Sequence, residues 1–323
     1  MIKQIPNIFT LLNLFFGCIA IILIMQTGLT IAMDNSGQQV IVIPEKIYWA
    51  SAMIGIAAVI DFLDGFVARL LKATSPIGAQ LDSLADVVSF GVAPGLIIYQ
   101  FLLFSYAQQE NGLDINIIWL LPALIVPCAG AYRLARFNVD TEQSHGFKGV
   151  PIPAVGLLIA SFPLVYWFSS NEWIINLCRN KWFWYAVIFI VSYLMVSSLP
   201  MLALKFSNIS FKKLLPFIII VLVALISAFL FGWLAVPLSF IAYVILSFIA
   251  YKQFRELGII LLAMAVICLI CFVMLKLNSD LYINIKYYQE YNNLLLNLRI
   301  YSILLFILSI GCLFAAYKLK NRK

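Results

Sequence analysis

From Ile8 to about Met33 the chain carries no Asp, Glu, Lys or Arg, and apolar runs of comparable length recur through the sequence. A helix crossing the hydrocarbon core of a bilayer needs about 20 mostly apolar residues. With that window the sequence predicts ten spans, near 8–30, 49–71, 79–105, 115–136, 152–170, 182–204, 213–231, 234–251, 257–277 and 299–318. The short link at Gly232 and Trp233 leaves open whether 213–251 is two spans or one long bent element. Composition points the same way, with 64% hydrophobic and 11% charged residues and a mean hydropathy of +1.02. Soluble domains carry roughly 25% charged residues, so a water-soluble fold could not hide this much apolar surface. The expected fold class is an all-α integral membrane protein, a polytopic helical bundle. The first run is expected to be a span rather than a removed signal peptide.

The basic residues set an expected orientation. With the N-terminus in the cytoplasm, 15 of the 21 Lys and Arg fall inside, among them Lys3, Arg69, Arg133, Arg136 and Lys148. Both termini are then cytoplasmic, in an inner cell membrane. Basic residues at a cytoplasmic lipid face also account for the net charge of +7 without any nucleic-acid partner. The six cysteines lie mostly within apolar runs, where Cys packs as a small hydrophobe. Cys268 and Cys271 form a C-x-x-C with no second pair, which reads as helix packing rather than a metal site.

Acidic residues are scarce, yet four of the 14 crowd into residues 61–86. Asp61 and Asp64 are three apart and Asp82 and Asp86 four apart, so each pair shares one helical face. A short turn near Ser75 and Pro76 would make these two spans antiparallel and bring the four carboxylates to one depth. Like charges in a low-dielectric site need protons or cations to neutralise them. Hard oxygen donors in this number suit Mg²⁺ or Mn²⁺, and the charge balances two divalent ions. Ion pairs of that kind recur in displacement at phosphorus. Gly65 and Gly78 would let backbone approach a bulky ligand, and Arg69, a turn from Gly65, could grip a phosphate. A divalent-cation transporter is the competing class, but it has no need of the Gly65, Ala68, Arg69 and Gly78 set.

The series D-x-x-D-G-x-x-A-R, eight residues, then G-x-x-x-D-x-x-x-D, complete from Asp61 to Asp86, resembles the signature of the CDP-alcohol phosphotransferases. The resemblance implies a six-helix membrane core over residues 1–205, usually homodimeric, with 206–323 as an extension of about four spans. It implies transfer of a phosphatidyl-type group from a CDP-linked donor to an alcohol, with release of CMP. Asp61, Asp64 and Asp82 would be the main metal ligands. Asp86 would complete the metal site and act as general base. Gly65, Ala68, Arg69 and Gly78 would line the nucleotide and phosphate pocket.

The flanks narrow the branch. Asn7, Thr10 and Asn13 recur at helical spacing in the first span and could hydrogen-bond the nucleotide, or Asn7 could simply cap the helix. Val87–Pro94, Arg133–Asn138, Phe147–Pro153 and Ser197–Pro200 resemble the branch that uses CDP-diacylglycerol and L-serine. Arg133 and Arg136, three apart, could hold the donor phosphate or the acceptor carboxylate, or act as positive-inside anchors. Lys148 and the single His, His145, precede the fifth span, and Lys148 joins the candidate acceptor pocket. Glycerol 3-phosphate, inositol or choline as acceptor, or an ether-lipid donor, remain alternatives within the same chemistry.

Overall fold

Helix α1 (Ile5–Met25) carries one inward stripe, with Pro6, Thr10, Asn13, Gly17, Ala20 and Ile24 buried at alternating intervals of four and three. That is the 3.6-residue period of a helix with a single packed face. Helix α2 (Lys46–Leu70) presents the matching stripe, Ile47, Ala50, Ser51, Ile54 and Ala57, and continues it into Asp61 and Asp64. The stripes meet along most of both helices. The inner end of each is polar, so the packing that holds the bundle together also aims the carboxylates inward.

A computed structural model describes residues 5–33, 39–71, 75–109, 114–139, 147–169, 172–202 and 211–250. The described residues up to Ser247 form one compact unit. The spans expected at 257–277 and 299–318 lie outside the described residues. Between α1 and α2 the chain makes a hairpin, β1 (Thr30–Met33) against β2 (Gln39–Val42), antiparallel with Thr30 opposite Val42. This short β-branched pair was not anticipated; an apolarity window does not separate it from the end of a span.

Helix α3 (Pro76–Asp86) opens on Ser75, whose hydroxyl accepts the Gly78 N–H at 3.0 Å, with Pro76 in the first turn. It passes through a π-helical turn at Val87–Val92 into α4 (Ala93–Ala107). Pro94 has no N–H to donate, and the widened turn before it accommodates its ring. Gly91 and Gly95 stand four apart on the face that meets Pro127 of the next segment; a Cβ at Gly95 would lie 3.0 Å from the Pro127 ring. Small residues at such spacing let helices approach closely where lipid supplies no hydrophobic drive between them.

The expected span at 115–136 is not one helix. It begins as two 3₁₀ turns, Ile117–Trp119 and Leu121–Leu124, and becomes regular only in α5 (Ile125–Val139). Pro122 removes a donor there. Helix α6 (Ile152–Phe168) fills its predicted window. The segment expected at 182–204 is helical only as α8 (Lys181–Val196), and a short helix that no window anticipated, α7 (Glu172–Cys178), precedes it at a 70° bend. Helix α8 stops at Val196 because Pro200 disfavours helix before it. Pro200–Met201 instead forms β4, paired with β3 (Phe147–Lys148). Helices α9 (Phe211–Phe231) and α10 (Ala235–Ala250), joined by a 3₁₀ turn with Gly232 at φ +58°, run as one long apolar element, Pro216–Ile249. By length and composition, four described helices can cross a membrane, or five if α7 and α8 count as one. The chain is therefore a multi-pass helical membrane protein.

Candidate active site

Asp61 and Asp64 reach the site from α2, and Asp82 and Asp86 from α3. Helix α1 packs against both and carries the polar groups between them. One carboxylate oxygen from each of Asp61, Asp64 and Asp82 lies within 4.8 Å of the other two. Asp64 and Asp86 are buried, Asp61 and Asp82 half-buried. Thr10 donates to Asp64 Oδ2 at 2.8 Å, bridging α1 to α2. Asn13 Nδ2 donates to Asp86 Oδ1 at 3.5 Å, bridging α1 to α3. Ser89, in the π turn, donates to the Asn13 carbonyl at 3.1 Å and fixes the depth of α1. Asp86 also lies beside the Asp61 carboxyl, at the inner edge of the cluster.

The four acids face two cations at a distance. Arg69 acts on Asp64 and Arg133 on Asp86. Asp82 Oδ1 is buried and has no hydrogen-bond partner among the described residues. Such an atom costs about 1–3 kcal/mol or more if left unmatched, because it loses water and gains nothing. An orphaned carboxylate oxygen beside two more hard oxygen donors fits a divalent cation. The cluster can hold a metal ion.

A cleft of ≈ 190 Å³ opens beside the acids, lined by Pro6, Asn7 and Thr10 of α1, Asp64, Gly65 and Ala68 of α2, and Ser75, Gly78, Ala79 and Asp82 of the α3 end. Asn7, Thr10, Gly65, Ala68 and Gly78, singled out from sequence for the nucleotide and phosphates, thus meet in one cavity. Gly78 keeps the space open there: a Cβ would stand 2.9 Å from Asn7 Oδ1 and 3.0 Å from Ser75 Oγ, so both side chains would have to shift. The Arg69 guanidinium lies over Gly65, 3.6 Å from where a Cβ would be. Pro6, Ser75, Ala79 and Ser89 were not anticipated as site residues. For Ser75 a signal existed, a Ser-Pro helix start directly before Gly78.

Arg133 and Arg136 have separate surroundings. Arg133 is 6% exposed, its guanidinium 5.9 Å from the Phe137 ring centroid, and its Nε has no hydrogen-bond partner among the described residues. Arg136 Nη1 donates to the Val196 carbonyl at 3.1 Å and closes the last turn of α8. Lys148 is exposed on β3. His145 lies outside the described residues.

A model of the CDP-alcohol phosphatidyltransferase family matches residues 3–180. Among curated proteins, the chain is 34% identical over 156 residues to a CDP-diacylglycerol–serine O-phosphatidyltransferase of Helicobacter pylori, covering 48% of this chain and 54% of that protein. It is 41% identical over 111 residues to the enzyme of that name from Methanocaldococcus jannaschii, covering 34% and 48%. With the Mycobacterium leprae protein of that name it shares 31% over 213 residues, 64% of each. The chain spans about half the length of the first two of these relatives.

Proposed function

The chain belongs to the CDP-alcohol phosphatidyltransferase family, and from that membership we propose that it transfers the phosphatidyl group of CDP-diacylglycerol to the hydroxyl of L-serine, giving phosphatidylserine and CMP. The observation that carries this reading is the meeting of Asp61, Asp64 and Asp82 beside the cleft that Asn7, Gly65, Ala68 and Gly78 line. The choice of serine rests on the relatives' names and on a buried cation, Arg133, on the side of Asp86.

Asp61, Asp64 and Asp82, completed by Asp86, would hold two divalent ions, Mg²⁺ or Mn²⁺. When bound, these ions supply charge neutralisation to the carboxylates, the donor phosphates and the departing CMP. The protein's own groups do the rest. Asn7, Thr10 and the glycine backbone at 65 and 78 cradle the nucleotide and diphosphate, with Ala68 leaving room and Arg69 over the phosphates. Arg133, with Lys148 and Arg136 at the rim, orients the acceptor by its carboxylate. Asp86 takes the proton from the serine hydroxyl as its oxygen bonds to phosphorus and the bond to the CMP oxygen breaks. The acyl chains stay in the bilayer.

Residues 1–205 form the catalytic core in this reading and 206–323 an extension. The protein works as a homodimer in the inner cell membrane, termini and site facing the cytoplasm. The basic inner ends of α2 and α5 favour that orientation. Trp49, Trp119, Trp173 and Trp182 are exposed at the opposite ends of their helices, as suits a membrane interface on either side. The test is CMP release by the purified protein from CDP-diacylglycerol with Mn²⁺ and, in turn, L-serine, glycerol 3-phosphate, inositol and choline. Release that responds to serine above the others is expected. Response to another alcohol alone keeps the chemistry and replaces the acceptor, and release with none of them contradicts the reading.

A further inference from the structure

Arg133 needs explaining because a guanidinium this deeply buried is costly unless its donors are met. Its Nε is orphaned among the described residues, and two groups reach it electrostatically, Tyr243 and Asp86. Its guanidinium thus interacts with the carboxylate assigned as base and with a side chain of α10. That helix lies beyond the stretch that matches the family.

Tyr243 is held in place by the backbone. Its hydroxyl donates to the Leu202 carbonyl at 3.3 Å. One turn on, Ser247 Oγ accepts the Leu202 N–H at 3.2 Å and donates to the Tyr243 carbonyl at 2.7 Å. Both backbone groups of Leu202 are thus clamped by one face of α10. Leu202 directly follows β4, whose partner β3 carries Lys148. The next residues, Gly149 and Val150, donate to the Leu199 and Leu194 carbonyls at 2.8 and 3.0 Å and tie the ribbon to the end of α8. Helix α10 thus fixes the ribbon bearing one cation and carries a side chain that acts electrostatically on the other.

We propose that α10 is a working wall of the acceptor subsite, with Tyr243 as a positioning residue for Arg133 and for a small acceptor that carries a carboxylate. The proposal rests on the serine-transfer reading and deepens it. Tyr243 and Ser247 keep Arg133 and the Lys148 ribbon in register, so that the acceptor's anionic end is gripped while its hydroxyl lies toward Asp86.

The test varies L-serine and CDP-diacylglycerol separately in initial-rate assays of the full-length protein with Mn²⁺. For Tyr243→Phe the KM for serine is expected to rise about tenfold, the scale of one polar interaction with a charged group, while the KM for CDP-diacylglycerol stays within about twofold. Ser247→Ala, which frees the Leu202 N–H without touching the ring, is expected to move the serine KM in the same direction. Ser239→Ala, whose hydroxyl donates within its own helix to the Ala235 carbonyl, leaves both constants unchanged. An unchanged serine KM in Tyr243→Phe overturns the proposal. So does a rise in both KM values together with a lowered melting temperature, which marks a purely structural role. If Tyr243→Phe does not fold, an unchanged serine KM in Ser247→Ala overturns it. A wild-type protein whose CMP release ignores serine defeats the underlying reading instead, and this proposal with it.

Discussion

Asp86 is held by the side-chain amide of Asn13, and it interacts electrostatically with Arg133. Those two facts suit a base on the acceptor rather than a purely metal-holding group. Asp86→Asn keeps the volume and removes the basicity, so kcat for serine transfer is expected to fall by about 10²–10⁴. Near-wild-type kcat would remove Asp86 from that role. Thr10 acts on the metal side through its 2.8 Å bond to Asp64. Thr10→Val keeps the shape and should raise the Mn²⁺ concentration for half-maximal activity about tenfold, as expected when a hydrogen bond to a charged group is lost. Metal titration of the two proteins checks it. The acids and glycines were legible because a helix turns three- and four-residue spacing into one face. The groups that hold them were less so: Ser89 reaches Asn13 across 76 positions, and Arg136 bonds a backbone carbonyl that leaves no mark in residue type.

At the scale of elements, the apolar windows located most described helices but not their interruptions. Hydropathy counts side chains, whereas the π turn at Val87–Val92, the 3₁₀ start before α5 and the early end of α8 arise in the backbone ladder. Proline marks each of these places, at Pro94, Pro122 and Pro200. The β3–β4 ribbon depends on Gly149, at φ +77°, whose missing Cβ would press on the carbonyls of Leu194, Met195 and Ser197. Gly149→Ala meets both a disfavoured φ and backbone that cannot swing aside, so a loss of more than about 1 kcal/mol is expected. Gly28→Ala, with nothing within 4 Å, should stay within about 0.5 kcal/mol. Melting curves of both variants in one detergent decide the point, and equal midpoints would contradict the strain argument.

For the whole molecule, the orientation we propose puts the acids, Arg133 and Lys148 at the cytoplasmic end of the bundle and Lys181 at the other. In a background with native cysteines replaced, Lys181→Cys should react with a membrane-impermeant thiol reagent added to intact cells. Lys148→Cys should react only after permeabilisation, and the reverse pattern would invert the topology. The same bundle should be stabilised by the cation its acids hold, since a ligand bound only by the folded state raises the melting temperature. Mn²⁺ is therefore expected to raise the midpoint of the wild-type protein and to have little effect on Asp61→Asn. The most direct measurement is incorporation of isotope-labelled L-serine into lipid by the purified protein with CDP-diacylglycerol and Mn²⁺, beside Asp82→Asn. The account predicts label in lipid, matched by CMP, with the intact Asp82 protein and metal only. Label that persists in Asp82→Asn, or CMP release without labelled lipid, would contradict it.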